Sequence, residues 1–198
     1  MNRKFRFSLL ALATAFLLVG CAENKSENKS NDPLADGVLT IGMEADYAPY
    51  NWTTNKKNAS DFAYQISGSE AYADGYDVRM AEALADELEV ELEIKKIAWD
   101  GLIPAVQSGS IDGIIAGMSP TDERKEQIDF TEAYHEDNIN MVVVVNKDSD
   151  FANAKSFSEL SGANLSAQTG TFHVDLLKQI EISKSATAPL PDFASLIQ

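Results

Sequence analysis

The chain has a single cysteine, Cys21, among its 198 residues, so no disulfide can close within it. Histidine is nearly as scarce: His135 and His173 lie far apart, and neither has the close companion that a metal site or catalytic pair would need. Both are expected at the surface. Positive charge is short as well, with 16 Lys and Arg against 31 Asp and Glu and a formal net charge of −15. That balance argues against nucleic acid as a partner, because phosphates call for a basic footprint. The acidic excess itself names no ligand, since it mainly keeps a surface solvated. Past Gly20 no window is apolar enough to span a bilayer, which takes about 20 such residues.

What is present begins at the N-terminus. Arg3, Lys4 and Arg6 lead into a nearly unbroken apolar run over residues 7–19, too short to cross a membrane comfortably. A basic lead, a short apolar segment and then small residues describe an export signal. No A-x-A-like cleavage site follows. The run ends Leu18-Val19-Gly20-Cys21, which resembles the lipobox of bacterial lipoproteins. That resemblance implies cleavage before Cys21 and a diacylglyceryl group on its thiol, two chains where one would hold only marginally. Residues 1–20 are then a signal peptide, and losing Arg3, Lys4 and Arg6 moves the net charge from −15 to −18. Residues 21–37 are the lipidated cysteine and a disordered tether, polar throughout and with a doubled Asn-Lys-Ser unit. The expected location is extracytoplasmic, anchored to the cell membrane through the lipid.

The globular part starts at Val38. Residues 38–43, Val-Leu-Thr-Ile-Gly-Met, form a short buried strand. A long polar stretch over 44–75 follows; a structureless loop of that length is uncommon and often functional. Residues 76–89 predict a helix, with Val78, Ala81, Leu84, Ala85 and Leu88 at helical spacing. Val90, Leu92 and Ile94 alternate with charged residues as a strand does. Asp100 can cap a helix over 101–107 that Ser108-Gly109 ends. Residues 111–116 and 139–145 predict strands, and 121–127 a helix between them. Beyond these come a strand at 164–167, a helix over 171–182, a strand over 186–190 and a helix capped by Asp192. Strand and helix in alternation imply an α/β domain with a mostly parallel sheet. Ligands on such sheets bind beyond the carboxyl ends of the strands. That rule selects residues 44–52, 99–100, 117–124 and 168–173.

These segments carry a resemblance. Gly75-Tyr76-Asp77-Val78-Arg79-Met80-Ala81 resembles the signature of family 3 extracellular solute-binding proteins. So do Trp99-Asp100-Gly101-Leu102-Ile103-Pro104-Ala105, Gln107-Ser108-Gly109-Ser110-Ile111-Asp112 and Gly117-Met118-Ser119-Pro120-Thr121-Asp122-Glu123-Arg124. Glu44-Ala45-Asp46-Tyr47-Ala48-Pro49-Tyr50 is similar to the family's first ligand loop. Arg79 departs from the pattern, which usually has an acid there, and residues 51–73 look like an insertion. The resemblance implies an α/β, two-lobe, periplasmic-binding-protein-like (type II) fold whose second lobe is incomplete in this chain. Lobe 1 would span 38–138, a crossover strand 139–146, and a partial lobe 2 the residues 147–198.

A free amino acid presents a carboxylate, an ammonium and a side chain. Carboxylate is held best by a bidentate arginine helped by donors at a helix start. Arg124 lies one turn into a predicted helix that Ser119 and Thr121 precede or open; spacing alone also allows a solvated helix arginine. The resemblance makes Arg124 the carboxylate ligand and turns the Gly117 carbonyl and Ser119 hydroxyl toward the ammonium. It places the ligand side chain between Tyr47 and Trp99, with Glu44 at its far end, and adds Met118 and Thr171 to the ligand set. An acid at 44 favours lysine, arginine or ornithine, then glutamine.

The implied function is an extracytoplasmic binding lipoprotein of an ABC importer, a monomer working with permease subunits, with a free amino acid as ligand. No cofactor, metal or catalytic residue is expected. The alternatives are a dehydratase-like enzyme on the same fold, for which only Glu44 offers an acid or base, and a ligand-sensing domain. The chain is expected to be truncated at its C-terminus. These 198 residues are therefore expected to bind weakly.

Overall fold

The computed structural model of the chain describes residues 32–135, 141–180 and 188–197. In chain order the strands are β1 (Val38–Met43), β2 (Asp46–Tyr47), β3 (Asn51–Thr54), β4 (Tyr64–Gln65), β5 (Tyr72–Asp74), β6 (Glu91–Lys96) and β7 (Gly113–Ile114). The helices are α1 (Tyr76–Glu87), α2 (Leu102–Gln107), α3 (Asp122–Lys125), α4 (His173–Leu177) and α5 (Phe193–Leu196). The signal and lipobox, Cys21 included, lie outside the described residues, as do Ile139 and residues 181–187.

β1 is the centre of a parallel sheet in the order β6-β1-β7. A central strand covered on both faces has no polar side to present, and Leu39, Ile41 and Met43 are all buried. Thr40 is tolerated because its N–H donates to Asp112 Oδ2 at 2.8 Å and its hydroxyl to Glu93 Oε2 at 3.2 Å. Gly42 lets α2 approach: a Cβ there would lie 2.5 Å from Ile111 Cδ1 and 3.1 Å from Leu102 Cδ2. β6 keeps the period of two, with Leu92 and Ile94 turned inward.

α1 buries Asp77, Val78, Ala81 and Ala85. Leu84 and Leu88, expected on the same face, are 41% and 43% exposed. The helix stops at Glu87 because Glu89 turns left-handed at φ 56°. Val90 N–H then reaches Ala85 O and Glu89 N–H reaches Asp86 O, a Schellman stop. α2 ends likewise, with Gly109 at φ 69° and Ser110 N–H on Ala105 O. Its start differs from expectation. Asp100 sits inside a 3-10 turn, Trp99–Gly101, and its side chain caps nothing.

The polar stretch after β1 is not structureless. It folds as an antiparallel sheet in the order β2-β3-β5-β4, so parallel pairing does not dominate among the described residues. Ser60 Oγ ties the intervening loop to Asp74 Oδ1 at 2.7 Å, and Ser67 N–H bonds Ile94 O at 2.8 Å at the edge of β6. Residues 33–37, assigned to the tether from the sequence, form a turn whose Leu34 packs on the main core.

The remaining expectations shrink. The strand over 111–116 reduces to β7, with Asp112 N–H on Thr40 O and Ile115 N–H on Gly42 O extending the contact. The helix over 121–127 is the four-residue α3. Among the described residues, 141–145 pair with nothing as a strand, and Met141, Val142 and Val144 are 54%, 76% and 73% exposed. The strand at 164–167 is extended chain ending in one bridge, Gln168 to Leu190. The helix from 171 is the short α4. Asp192 does cap α5, accepting from Ser195 N–H at 2.7 Å. A small second core holds Leu160, Ala163 and Leu165 against Phe151, Ala154, Leu177 and Ile180.

Candidate functional site

Loops leaving the ends of β1, β6 and β7 converge with the loop at 168–172. Arg124 is 7% exposed although it is charged. Thr121 caps α3 by accepting Arg124 N–H, so the arginine's side chain turns back along the incoming loop. Its Nη1 donates to Ser119 O at 2.9 Å and Nη2 makes a longer 3.5 Å contact with Gly170 O. The guanidinium also lies over the Trp99 ring, 5.2 Å from the centroid. Trp99 Nε1 donates to the same Gly170 carbonyl at 3.0 Å. Among the described residues no carboxylate forms an ion pair with Arg124. Burial pulls its pKa down, with Glu123 opposing. A guanidinium so placed has N–H donors suited to a carboxylate.

Glu44 follows β1 and is 5% exposed. Gln168 Nε2 donates to its Oε1 at 2.6 Å, a bond between residues 124 positions apart. Burial raises the Glu44 pKa, Gln168's hydrogen bond lowers it, and nearby Asp46 and Asp192 raise it again. Tyr47 stacks on Tyr50 at 5.3 Å and meets Phe193 of α5 edge-on at 5.4 Å. Gly117, left-handed at φ 60°, faces this ring: a Cβ there would sit 3.5 Å from Tyr47 Cε1. A cavity of about 320 Å³ opens beside Arg124, lined by Glu123, Gln127, Thr169, Gly170, Thr171 and Phe172 among others.

The structure thus brings Trp99, Ser119 and Arg124 together, and separately Tyr47 with Gly117. Thr171 stands in the same loop, but its hydroxyl is used on Gln168 O at 2.7 Å. Met118 is partly buried and packs against the main core. His173 is exposed and stacks on Phe172 at 4.4 Å, whereas His135 is half-buried, 5.8 Å from Tyr50 and 5.2 Å from Tyr76. Among the described residues no group of three or more His, Cys, Asp or Glu could hold a metal ion.

Sequence reasoning missed Gln168, Asn51 and Tyr134 as site residues, and gave Asp77 no task beyond its place in a signature. Asp77 and Asn51 are both fully buried. Asn51 Nδ2 donates to Asp77 Oδ2 at 2.6 Å, and the Tyr134 hydroxyl donates to Asp77 Oδ1 at 2.9 Å. Gly117 N–H donates in turn to the Tyr134 oxygen at 3.0 Å. Burial pushes the Asp77 carboxyl up, against the pull of Asn51 and Tyr134.

Residues 39–188 match the bacterial extracellular solute-binding proteins, family 3. The chain belongs to that family. Family 3 relatives include a probable histidine-binding protein of Campylobacter jejuni, 30% identical over 90% of this chain and 63% of that protein. The arginine-binding extracellular protein ArtP of Bacillus subtilis is 29% identical over 90% of this chain and 60% of its own length. The chain therefore spans less than two thirds of these curated relatives. Among solved structures, the substrate-binding protein of an amino acid ABC transporter matches with a TM-score of 0.64 at 32% identity, over 81% of this chain and 64% of that one. The fold is the mixed α/β of type II periplasmic binding proteins, with only part of the full family architecture present.

Proposed function

We propose that the chain acts as an extracytoplasmic solute-binding protein that delivers an amino acid to ABC-transporter permease subunits. A cationic side chain (lysine, arginine or ornithine) is favoured, with glutamine next. The observation that carries this reading is Arg124, a buried guanidinium held against Trp99 with main-chain carbonyls as its acceptors. A buried cation without a carboxylate partner is costly, and an incoming α-carboxylate would offset that cost. Glu44, buried beyond β1, supports a cationic or amide end on the ligand. The histidine and arginine named for the relatives agree with that class. Lipid anchoring through Cys21 and monomeric action belong to the same proposal.

The test is calorimetry and a thermal-shift panel with arginine, lysine, ornithine, glutamine, glutamate and leucine. Ligand binding only to the folded state raises its apparent stability. Arginine or a close analogue is expected to raise Tm most. Arg124→Met is expected to weaken binding by about 100-fold or more, the loss that follows a buried charge deprived of its partner. A panel led by glutamate or leucine, or an Arg124→Met protein with unchanged Kd, defeats the reading. Cys21→Ser tests the anchor: the protein should leave the membrane fraction, and retention there removes the lipobox from the proposal. One related structure is an ancestral amino-acid-binding protein described as a precursor of cyclohexadienyl dehydratase. Turnover of prephenate or arogenate would convert the reading from binding to catalysis.

A further inference from the structure

Two loops of the site leave parallel strands through left-handed backbone, strained at one of them and natural at the other. Ala45, after β1, has φ 54° with no glycine to ease it, and Gly117, after β7, has φ 60°. At Ala45 the conformation needs outside support, and at both positions a side chain holds a main-chain N–H of the loop. The N–H of Ala45 donates to Asn51 Oδ1 at 2.8 Å, and the amide of Asn51 donates to Asp77 Oδ2 at 2.6 Å. The N–H of Gly117 donates to the Tyr134 oxygen at 3.0 Å, and the Tyr134 hydroxyl donates to Asp77 Oδ1 at 2.9 Å. One carboxylate therefore ends both chains, one oxygen to each.

We propose that Asp77 is the positioning residue that sets the Glu44–Tyr47 loop and the Gly117 loop relative to each other, through Asn51 and Tyr134. What those loops hold rests on the amino-acid-binding reading above; the linkage itself does not. Asp77 suits the task for three reasons. It is wholly buried in the first turn of α1, where a helix start favours negative charge. Two side-chain hydrogen bonds favour its charged form, with His135 adding a smaller attraction. An asparagine there would keep one acceptor oxygen and could meet Tyr134 only by donating to an oxygen that already accepts from Gly117, whereas the acid accepts from both arms as they stand. Tyr134 keeps its ring stacked on Tyr76 at 6.1 Å, which fixes the hydroxyl between its two partners.

The experiment follows amide hydrogen exchange at Ala45 and Gly117 in the ligand-free protein, and Kd for arginine, in Tyr134→Phe and Asp77→Ala. Tyr134→Phe keeps the ring and removes only the hydroxyl. Exchange at Gly117 should rise roughly tenfold, as expected for losing one buried hydrogen bond, with Ala45 unmoved. Kd should weaken by a similar factor while Tm shifts by only a few degrees. Asp77→Ala should raise exchange at both amides together; if that variant does not fold, Tyr134→Phe decides alone. Unchanged exchange at Gly117 in Tyr134→Phe, or an unchanged Kd in a parent that binds arginine, overturns the proposal. A parent that binds no amino acid, with both amides still responding to Asp77→Ala, keeps the linkage and defeats the ligand reading instead.

Discussion

Residues 38–135 and residues 141–197 use their apolar side chains in opposite ways. In the first region Ile41, Met43, Ile94, Leu102 and Val78 converge from β1, β6, α2 and α1 and are almost fully enclosed. In the second, Leu160, Ala163 and Leu165 gather under partly covered neighbours, while Val142 and Val144 face outward. The first region can therefore afford buried polar groups, because its sheet already fixes their partners. Asp77, Asn51 and Arg124 all lie there. The second region contributes to the site mostly through its backbone, with the Gly170 carbonyl receiving both Trp99 and Arg124. Gln168 is its one buried polar side chain among the described residues. A dense core supports exact side chains, and a thin one presents peptide groups that need no packing to aim them.

The comparison breaks if the two cores are equally costly to damage. Ile41→Ala removes a side chain 1% exposed at the middle of the parallel sheet, where neighbours on both faces cannot follow it. A loss of about 3–4 kcal/mol is expected, in the upper range for large-to-small core changes. Leu165→Ala, 7% exposed in the small core, should cost about 2 kcal/mol, the low end of that range, because its surroundings can settle into the space. Equilibrium denaturation of both variants compares them directly. Equal losses, or a larger one for Leu165→Ala, would show that the second region is as tightly packed as the first.

The same contrast explains what was legible in the sequence. β1 announces itself as a short apolar run, and β6 and α1 because each is long enough to display its period. The antiparallel sheet over residues 46–74 does not, since strands of two to four residues among turn-forming side chains show no alternation. The apolar run ending at Val145 misled for a different reason: hydrophobicity marks a strand only where a neighbour exists to pair with it. Arg124, Trp99 and Ser119 could be named beforehand from spaced motifs. Gln168 fell inside the selected segment 168–173, but its role could not be named, because its bond to Glu44 spans 124 positions and follows no local spacing. Asn51 and Tyr134 were hidden the same way, 26 and 57 positions from Asp77.

Contact between the two regions can be sharpened through Glu44. Burial favours its neutral form and lifts its pKa above the ordinary glutamate value, so folding takes up a proton there. The stability this proton brings is present at acid pH and is lost as pH rises through the raised value. Glu44→Gln keeps an oxygen for Gln168 and removes the ionisation. The variant should melt above the parent at pH 7. The gap should close towards pH 4. A parent that is the more stable at pH 7 would mean that the carboxylate, and not burial by the second region, governs this contact.

The smallest expected effect concerns a feature of the first region alone. Arg79 and residues 51–73 are the two places where the sequence departs from the signature that it resembles; the structure joins these two departures. The Arg79 guanidinium lies 4.6 Å from the centre of the Phe62 ring, so the helix face of α1 holds down the loop between β3 and β4. Both residues are exposed, which limits the attraction to about 0.5–1 kcal/mol. An acid at 79 would forfeit it and face the ring's negative surface. A double-mutant cycle over Arg79→Ala and Phe62→Ala isolates the pair from whatever else each side chain does. A coupling of about 0.5 kcal/mol is expected, with arginine affinity unchanged in both single variants because neither residue touches the site. Zero coupling would leave the insertion resting on Ser60, Ser67 and the strand pairing. A changed affinity would mean that this loop reaches the ligand after all, and that the first region's rigidity extends less far than its core suggests.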